Sequence, residues 1–431
     1  MILQKISNLI WGDWLIILIL LTGLRYTFIL KGIQFRKFFY IFKKALSEKK
    51  NGKAENKITA FQALTAALGS CIGNGNIVGV ATAVIGGGAG ALFWMWAAAF
   101  IGMAVKYGEI FLGIKYREKN EEGEYNGGPM YYISKGLNLK FLGIIYAVLL
   151  LIQNSGGTLI QGNVMKDVFN DFFKFPAMIV SVLLTGIIYF ITAGGFKRLV
   201  KAMDKLVPLM TAFYFIVGFI IIGVHFERIP FVFSEIFTSA FNFNSAVAGA
   251  VGYRIKESLR YGISRGIYSN EAGEGTAAIF YSKVNDEETE NHGLYGILEV
   301  FIDTIVVCTI SGLVVLLCTD VAKDMSPTKV LMNSFESVHY IFKYFLGFAM
   351  LLFGFTSMLG QWVLGKSSFR YITVKNYDKI YNILFLIVVF FAPHFSSETV
   401  WYIQDIALGL LILPNIFAIN MLGRKVKEEN I

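Results

Sequence analysis

The sequence predicts an all-α polytopic membrane protein. Three observations carry that reading. Hydrophobic residues make up 55% of the chain and charged residues 16%, with a mean hydropathy of +0.58; a soluble domain carries about 25% charge. Apolar runs long enough to cross a bilayer recur about eleven times. The connections between them alternate between rich and poor in Lys and Arg, the pattern that orients membrane proteins.

The predicted spans are 12–31, 59–85, 89–116, 141–166, 174–194, 203–225, 242–258, 294–320, 341–364, 379–394 and 399–421. The first centres on Trp14 to Leu24. It lacks a basic leader and a small-residue cleavage site, so it reads as a retained helix. The second is interrupted by Gly73-Asn74-Gly75-Asn76. Two glycines and two short amides favour a departure from helical backbone. In hydrocarbon such a break is tolerated where it lines a polar cavity or holds a solute. The third span carries Lys106 and Glu109, three apart and able to pair on one face. The fourth carries Gln153, Asn154, Gln161 and Asn163, with Gln153 and Gln161 about two turns apart on a shared face. The fifth and sixth are plainly apolar. The seventh is short and polar in places. The eighth carries Glu299 and Asp303, the latter either a member of a buried hydrogen-bond network or a proton-sensitive coupling group. The ninth carries Thr356, Ser357 and Gln361. The tenth is short, and the eleventh is apolar.

Charge sets the expected orientation. The 32–58 connection holds Arg36, Lys37, Lys43, Lys44, Lys53 and Lys57, which puts it in the cytoplasm and the N-terminus outside. Parity then puts 195–202, 254–293, 365–378 and the C-terminus inside, and all four are basic. The net charge of +9 is thus read as topology rather than nucleic-acid affinity. Cys71, Cys308 and Cys318 lie in apolar segments and suggest neither disulfides nor a metal site. No Walker motif, GxSxG or HExxH occurs, which argues against an enzyme. A channel or a non-transporting sensor remains a second class, although broken helices suit an occluded solute site better than a pore.

A repeat is suggested. The glycine-broken second span precedes a long apolar helix. The segment from Phe243 to Tyr253, interrupted by Gly249 and Gly252, again precedes one. Five spans separate the two starts, and an odd number inverts the second half. The expected organisation is residues 1–58 as an extra N-terminal helix and basic loop, 59–225 as one repeat, and 226–431 as its inverted partner plus a cytoplasmic tail. The glycine-rich stretch 262–278 is expected to form cytoplasmic caps and turns.

At the first break, the free N–H groups of the half-helix from Ile77 onward would favour a carboxylate, with Asn74 and Gly75 nearest. Asn76 is a candidate cation ligand through its side-chain oxygen, or else closes a turn on itself.

Several strings resemble the alanine or glycine:cation symporter family: Gly73 to Ala83 (GNGNIVGVATA), Gly90 to Tyr107, Gly127 to Ile133 (GGPMYYI), Arg265 to Gly275 (RGIYSNEAGEG), Phe301 to Thr304, and Cys308-Thr309. The resemblance implies a five-plus-five inverted repeat with broken helices plus one N-terminal helix. It also implies uptake of a small amino acid with a co-transported sodium ion. Substrate contacts would then come from Asn74, Gly75, Asn76, Gln161, Ser357 and Gln361. Sodium would take carbonyls of Gly69 and Ile72 and hydroxyls of Thr356 and Ser357. The chain departs from the family pattern in five places. Asn74 stands for threonine, Ala89 for proline, Glu274 for methionine, Lys366 for the glutamate after Gly365, and Gln361 for a pocket-wall tryptophan. The last substitution opens an alternative, a larger polar amino acid; proton coupling is another.

Overall fold

The structure is a computed structural model that describes residues 2–51, 58–120, 123–241, 248–285, 289–318, 326–373 and 377–428. Lys53, Lys57 and Phe243 lie outside these residues. The principal helices are α1 (Asp13–Ile29), α2 (Ala60–Cys71), α3 (Val80–Gly87), α4 (Gly90–Lys115), α5 (Lys140–Phe173), α6 (Ala177–Thr192), α7 (Gly195–Val224), α8 (Ala248–Asn270), α9 (Thr276–Tyr281), α10 (Thr289–Val300), α11 (Thr309–Cys318), α12 (Tyr340–Thr373), α13 (Asp378–Phe391) and α14 (Ser397–Glu428). The only strands among the described residues are a two-residue hairpin, Glu118–Lys119 against Tyr125–Asn126.

Among the described residues, seven helical segments are long and apolar enough to cross a bilayer, and an eighth is α2 with α3, bent by 55° at the break. Short apolar α6, fourteen-residue α13 and the polar pair α8/α9 complete the set read from sequence. The outer surface is lined with exposed Phe28, Phe190, Ile216 and Phe231, a composition that suits lipid rather than water.

Thr59 starts α2 with a capping box: its hydroxyl accepts the Gln62 N–H while the Gln62 side chain accepts the Thr59 N–H. The helix stops at Cys71 because Ile72 turns extended. The chain resumes through a π-helical stretch, Gly75–Gly79, before α3. Phe301–Cys308, between α10 and α11, is also π-helical. Such widened turns arise where a ladder bond is traded for a side-chain contact.

One sequence reading is overturned. Residues 262–278 do contain a helix end and turns, at 270–275, but they do not face water; they are buried throughout. They form the end of α8, a break at Glu271–Gly275, and the start of α9. The second repeat's break therefore lies there and not at Gly249 and Gly252, which are within α8. The segment looked water-facing because it is polar. Many of its polar groups instead meet other helices, beginning with the Arg265–Asp405 fork at 2.5 and 2.9 Å.

Candidate binding site at two helix breaks

At the first break the amide donors reach neighbouring helices, while Asn74 Oδ1 is buried without a hydrogen bond. Asn74 donates from its backbone N–H and from Nδ2 to the same atom, Gln161 Oε1 on α5, at 3.1 and 2.9 Å. Gln161 Nε2 then donates to Ser357 Oγ on α12 at 3.1 Å. Gly73 is small for a reason: a methyl there would lie 2.8 Å from Gln161 Nε2 and 3.0 Å from the Ser357 side chain. A methyl at Gly75 would lie 2.6 Å from the Tyr268 ring. Asn76 turns the other way. Its Oδ1 accepts the Gly73 N–H at 3.0 Å, and its Nδ2 donates to Asp303 Oδ1 at 2.6 Å. Asn76 Oδ1 thus closes a turn onto Gly73.

The second break is built from charge. Glu271 takes a left-handed backbone at φ 55°, followed by Gly273 at 99° and Gly275 at 84°. An L-residue there costs about 1–2 kcal/mol, so neighbours must hold it. Lys106 does not pair with Glu109. Its Nζ lies 2.5 Å from Glu299 and donates at 2.5 Å to the Asn270 carbonyl. A cation at that carbonyl complements the C-terminal end of α8. Glu109 accepts the Gly273 N–H at 3.0 Å and Asn415 Nδ2 at 2.6 Å. Tyr146 donates to the Glu274 carbonyl at 2.6 Å, and Thr276 to Glu271 Oε2 at 2.5 Å.

Asp303 joins the two breaks. Besides Asn76, it accepts Ser269 Oγ at 2.7 Å and Thr304 Oγ1 at 2.8 Å. Thr304 in turn accepts Asn270 Nδ2 at 3.0 Å. Of the two readings for Asp303, the hydrogen-bonded network is what the structure shows.

The sodium candidates belong to α2 and the turn after it and to α12, two helices that pack on each other, with Gly69 also against Val207 and Thr356 Oγ1 3.5 Å from Met210 Sδ. The α2 residue Ser70 packs so closely on α12 that a methyl at Gly360 would lie 2.3 Å from its Cβ. Gly69 and Ile72 flank that contact in sequence. Thr356 directs its hydroxyl proton to the Leu352 and Phe353 carbonyls, both at 3.2 Å. Gln361 lies against Gly157, where a methyl would be 3.1 Å from its Nε2, and its Oε1 is buried without a hydrogen bond. Gln404 lies against Gly156 in the same way, and its side chain also lacks a partner.

With this geometry in view, comparison with known proteins is informative. The model of the sodium:alanine symporter family matches residues 1–430. The chain belongs to that family. It is 36% identical over 430 residues to the uncharacterized transporter YflA of Bacillus subtilis, covering 99% of this chain and 91% of that one. It is 33% identical to the sodium/alanine symporter AgcS of Methanococcus maripaludis, covering 99% and 96%. The probable sodium/glutamine symporter GlnT of Bacillus subtilis is 30% identical, with 97% and 87% covered. Among solved structures, MhsT in complex with L-phenylalanine superposes with a TM-score of 0.63 at 15% identity, covering 86% of this chain and 90% of that one; this likeness speaks to fold alone. Family membership makes the chain a membrane transporter of the amino-acid:cation symport class, not an enzyme.

Sequence reasoning missed Lys106, Glu271 and Glu274 as parts of the central site, and with them Gln404, Tyr268 and Trp401, whose ring lies 5.2 Å from that of Tyr268. The available signal was Glu274 framed by Gly273 and Gly275 in a segment whose Arg265 had a distant apolar-span partner, Asp405.

Proposed function

We propose that the chain takes up a small neutral amino acid, alanine or glycine, together with sodium, by alternating access. The observation that carries this is the double donation from Asn74 to one oxygen, Gln161 Oε1. A substrate carboxylate oxygen offers the same acceptor geometry and, being charged, makes the stronger bond. It would displace Gln161 Oε1, leaving Gln161 and Ser357 to line the site. Gly75 and Asn76 shape the cradle, the latter by fixing the break to Asp303. The closeness of Gly73 and Gly75 to their neighbours favours a small ligand.

Sodium would sit between α2 and α12, on carbonyls of Gly69 and Ile72 and hydroxyls of Thr356 and Ser357. The Thr356 hydroxyl gives its proton to its own helix, which turns lone pairs outward, as a hard cation requires. The first and second halves, 59–225 and 226–431, would move against one another, with the N-terminus outside and the C-terminus in the cytoplasm.

A second reading has its own support. Gln361 Oε1 and the Gln404 side chain are unpartnered beside Gly156 and Gly157. A polar substrate side chain, such as that of glutamine or serine, would satisfy them.

The test is radiolabelled alanine uptake into proteoliposomes, with and without an inward sodium gradient, competed by each unlabelled amino acid. Sodium-driven accumulation blocked by alanine and glycine supports the first reading. Competition by glutamine or serine but not alanine transfers it to the second. Uptake that ignores sodium and collapses with the pH gradient removes sodium coupling.

A further inference from the structure

Glu274 is the worst-served carboxylate at the second break. It is fully buried. Its Oε2 accepts one bond, from Gln153 Nε2 at 3.2 Å, and its Oε1 accepts none. Gln153 Oε1 is also buried and unpartnered. Two oxygens, each lacking a hydrogen, belong to two planar groups already joined through their other atoms. Oxygens without a donor in a protein interior are costly.

Of the charges around Glu274, only the Lys106 ammonium is favourable, and it is shared. Glu271 is on its own segment, Lys106 and Glu109 are on α4, Tyr146 is on α5 and Tyr268 is on α8. Tyr132 lies beside Gly275. Lys106 is engaged by Glu299 and the Asn270 carbonyl. Arg265 is engaged by Asp405. Carboxylates at Glu109, Glu271, Glu274, Glu299 and Asp303 thus share one nearby ammonium. So many ionised groups cannot coexist cheaply in a membrane interior.

We propose that Glu274 and Gln153 form a proton-binding site, with the proton on Glu274 Oε1 donated to Gln153 Oε1. That one proton gives both orphaned oxygens a partner and closes an acid–amide ring with the existing Nε2 to Oε2 bond. It also removes one negative charge from the cluster. When the second break opens to water, the ring opens and the proton exchanges with solvent. When the break closes, Glu274 must take it back. The chain is therefore proton-sensitive at a position separate from the sodium walls on α2 and α12.

The experiment has a spectroscopic arm and a transport arm. Infrared spectra of the full-length protein in liposomes, recorded against pH and repeated in deuterium oxide, report protonated carboxyl groups by their C=O stretch. Wild type is expected to hold a band at neutral pH that Glu274→Gln and Glu274→Met both lose. Methionine is included because it is what the family pattern has there, which guards against a variant that does not fold. An unchanged band in both variants overturns the proposal. So does a wild-type spectrum with no such band. The transport arm rests on the symport reading above. Wild-type uptake at fixed sodium gradient is expected to fall about tenfold per pH unit once the site deprotonates. Glu274→Gln, whatever its rate, should lose that dependence. Identical pH profiles overturn the proposal. If wild type shows no uptake at all, the transport reading fails, and the infrared arm alone decides the proton site.

Discussion

The two helix breaks face each other across Asp303, yet they are built from opposite materials. The first, Gly73–Asn76, is held by neutral amides: Asn74 on Gln161, Asn76 on Asp303. The second, Glu271–Gly275, is held by ions: Lys106 on Glu299 and Asn270, Glu109 on Gly273 and Asn415. The Asn74–Gln161 bonds join two neutral amides and exchange readily, because each is worth only about 1 kcal/mol net. Buried ion pairs do not, because removing one partner strands a charge in low dielectric. The first break is suited to letting go of its partner for a substrate. The second is suited to acting as a frame.

The largest expected effect tests the frame. Lys106→Met leaves Glu299 unpaired and the Asn270 carbonyl without its cation. Breaking such a buried pair costs about 3–5 kcal/mol. The variant should lose most of its monodisperse peak in detergent, or melt far below wild type. Lys106→Met with Glu299→Leu removes both charges and should recover much of the loss. A single variant as stable as wild type would erase the distinction between the breaks.

Asp303 comes next, because it belongs to both. Asp303→Ala removes the carboxylate that Asn76 Nδ2, Ser269 and Thr304 share, leaving Asn76 on the main-chain carbonyl of residue 303 at 3.3 Å and Ser269 beside Cys308 Sγ at 3.2 Å. Each buried orphan costs about 1–3 kcal/mol, less where the site relaxes. Stability and uptake should fall together, with Asp303→Asn intermediate in both. Loss of uptake at unchanged melting temperature would instead make Asp303 a coupling group.

The first break should behave differently. Asn74→Ala is expected to cut uptake about 10- to 100-fold through weaker substrate binding, while stability changes by about 1 kcal/mol. Gln161→Ala should act similarly, and the double variant should be no worse than the sum, since the two share one contact. Equal losses of stability at Asn74 and Lys106 would show that both breaks are frames.

This contrast also explains what the sequence disclosed. Asn74 and Asn76 stood out because amides between glycines are conspicuous in an apolar run. Gln161 and Ser357 were found with the help of the family resemblance. Glu271 and Glu274 were passed over because a charged, glycine-rich stretch next to basic residues resembles a cytoplasmic loop. Only tertiary pairing, Arg265 with Asp405 and Ser269 with Asp303, distinguishes a buried charge from a wet one. The short sixth and thirteenth helices were legible as spans, but the location of the second break was not, since Gly249 and Gly252 signal flexibility as strongly as Gly273 and Gly275.

The smallest expected effect provides a reference for charge outside the membrane core. Lys283, in the connection after α9, lines a 380 Å³ cavity with Lys197, Glu124, Lys366 and Arg370. It donates to Asn126 at 3.3 Å and lies 5.3 Å from the centre of the Phe196 ring. Burial lowers its ammonium from 10.5 to about 8; Lys366 and Arg370 add to this, and Glu124 and Asp378 oppose it. The folded state thus releases this proton more easily than the unfolded chain does. Between about pH 8 and the ordinary lysine value, the unfolded state binds more protons, so stability rises with pH. Below about pH 8 both states are protonated, and the full penalty of a charged Lys283 is present. Lys283→Met should therefore melt slightly above wild type near neutral pH, by an amount worth about 1 kcal/mol or less. The gap should close as the pH rises past about 8. A gap of the opposite sign, or one as large as that of Lys106→Met, would mean that the ammonium of Lys283 is a structural partner here too, and that proximity to water does not separate cheap charges from costly ones in this chain.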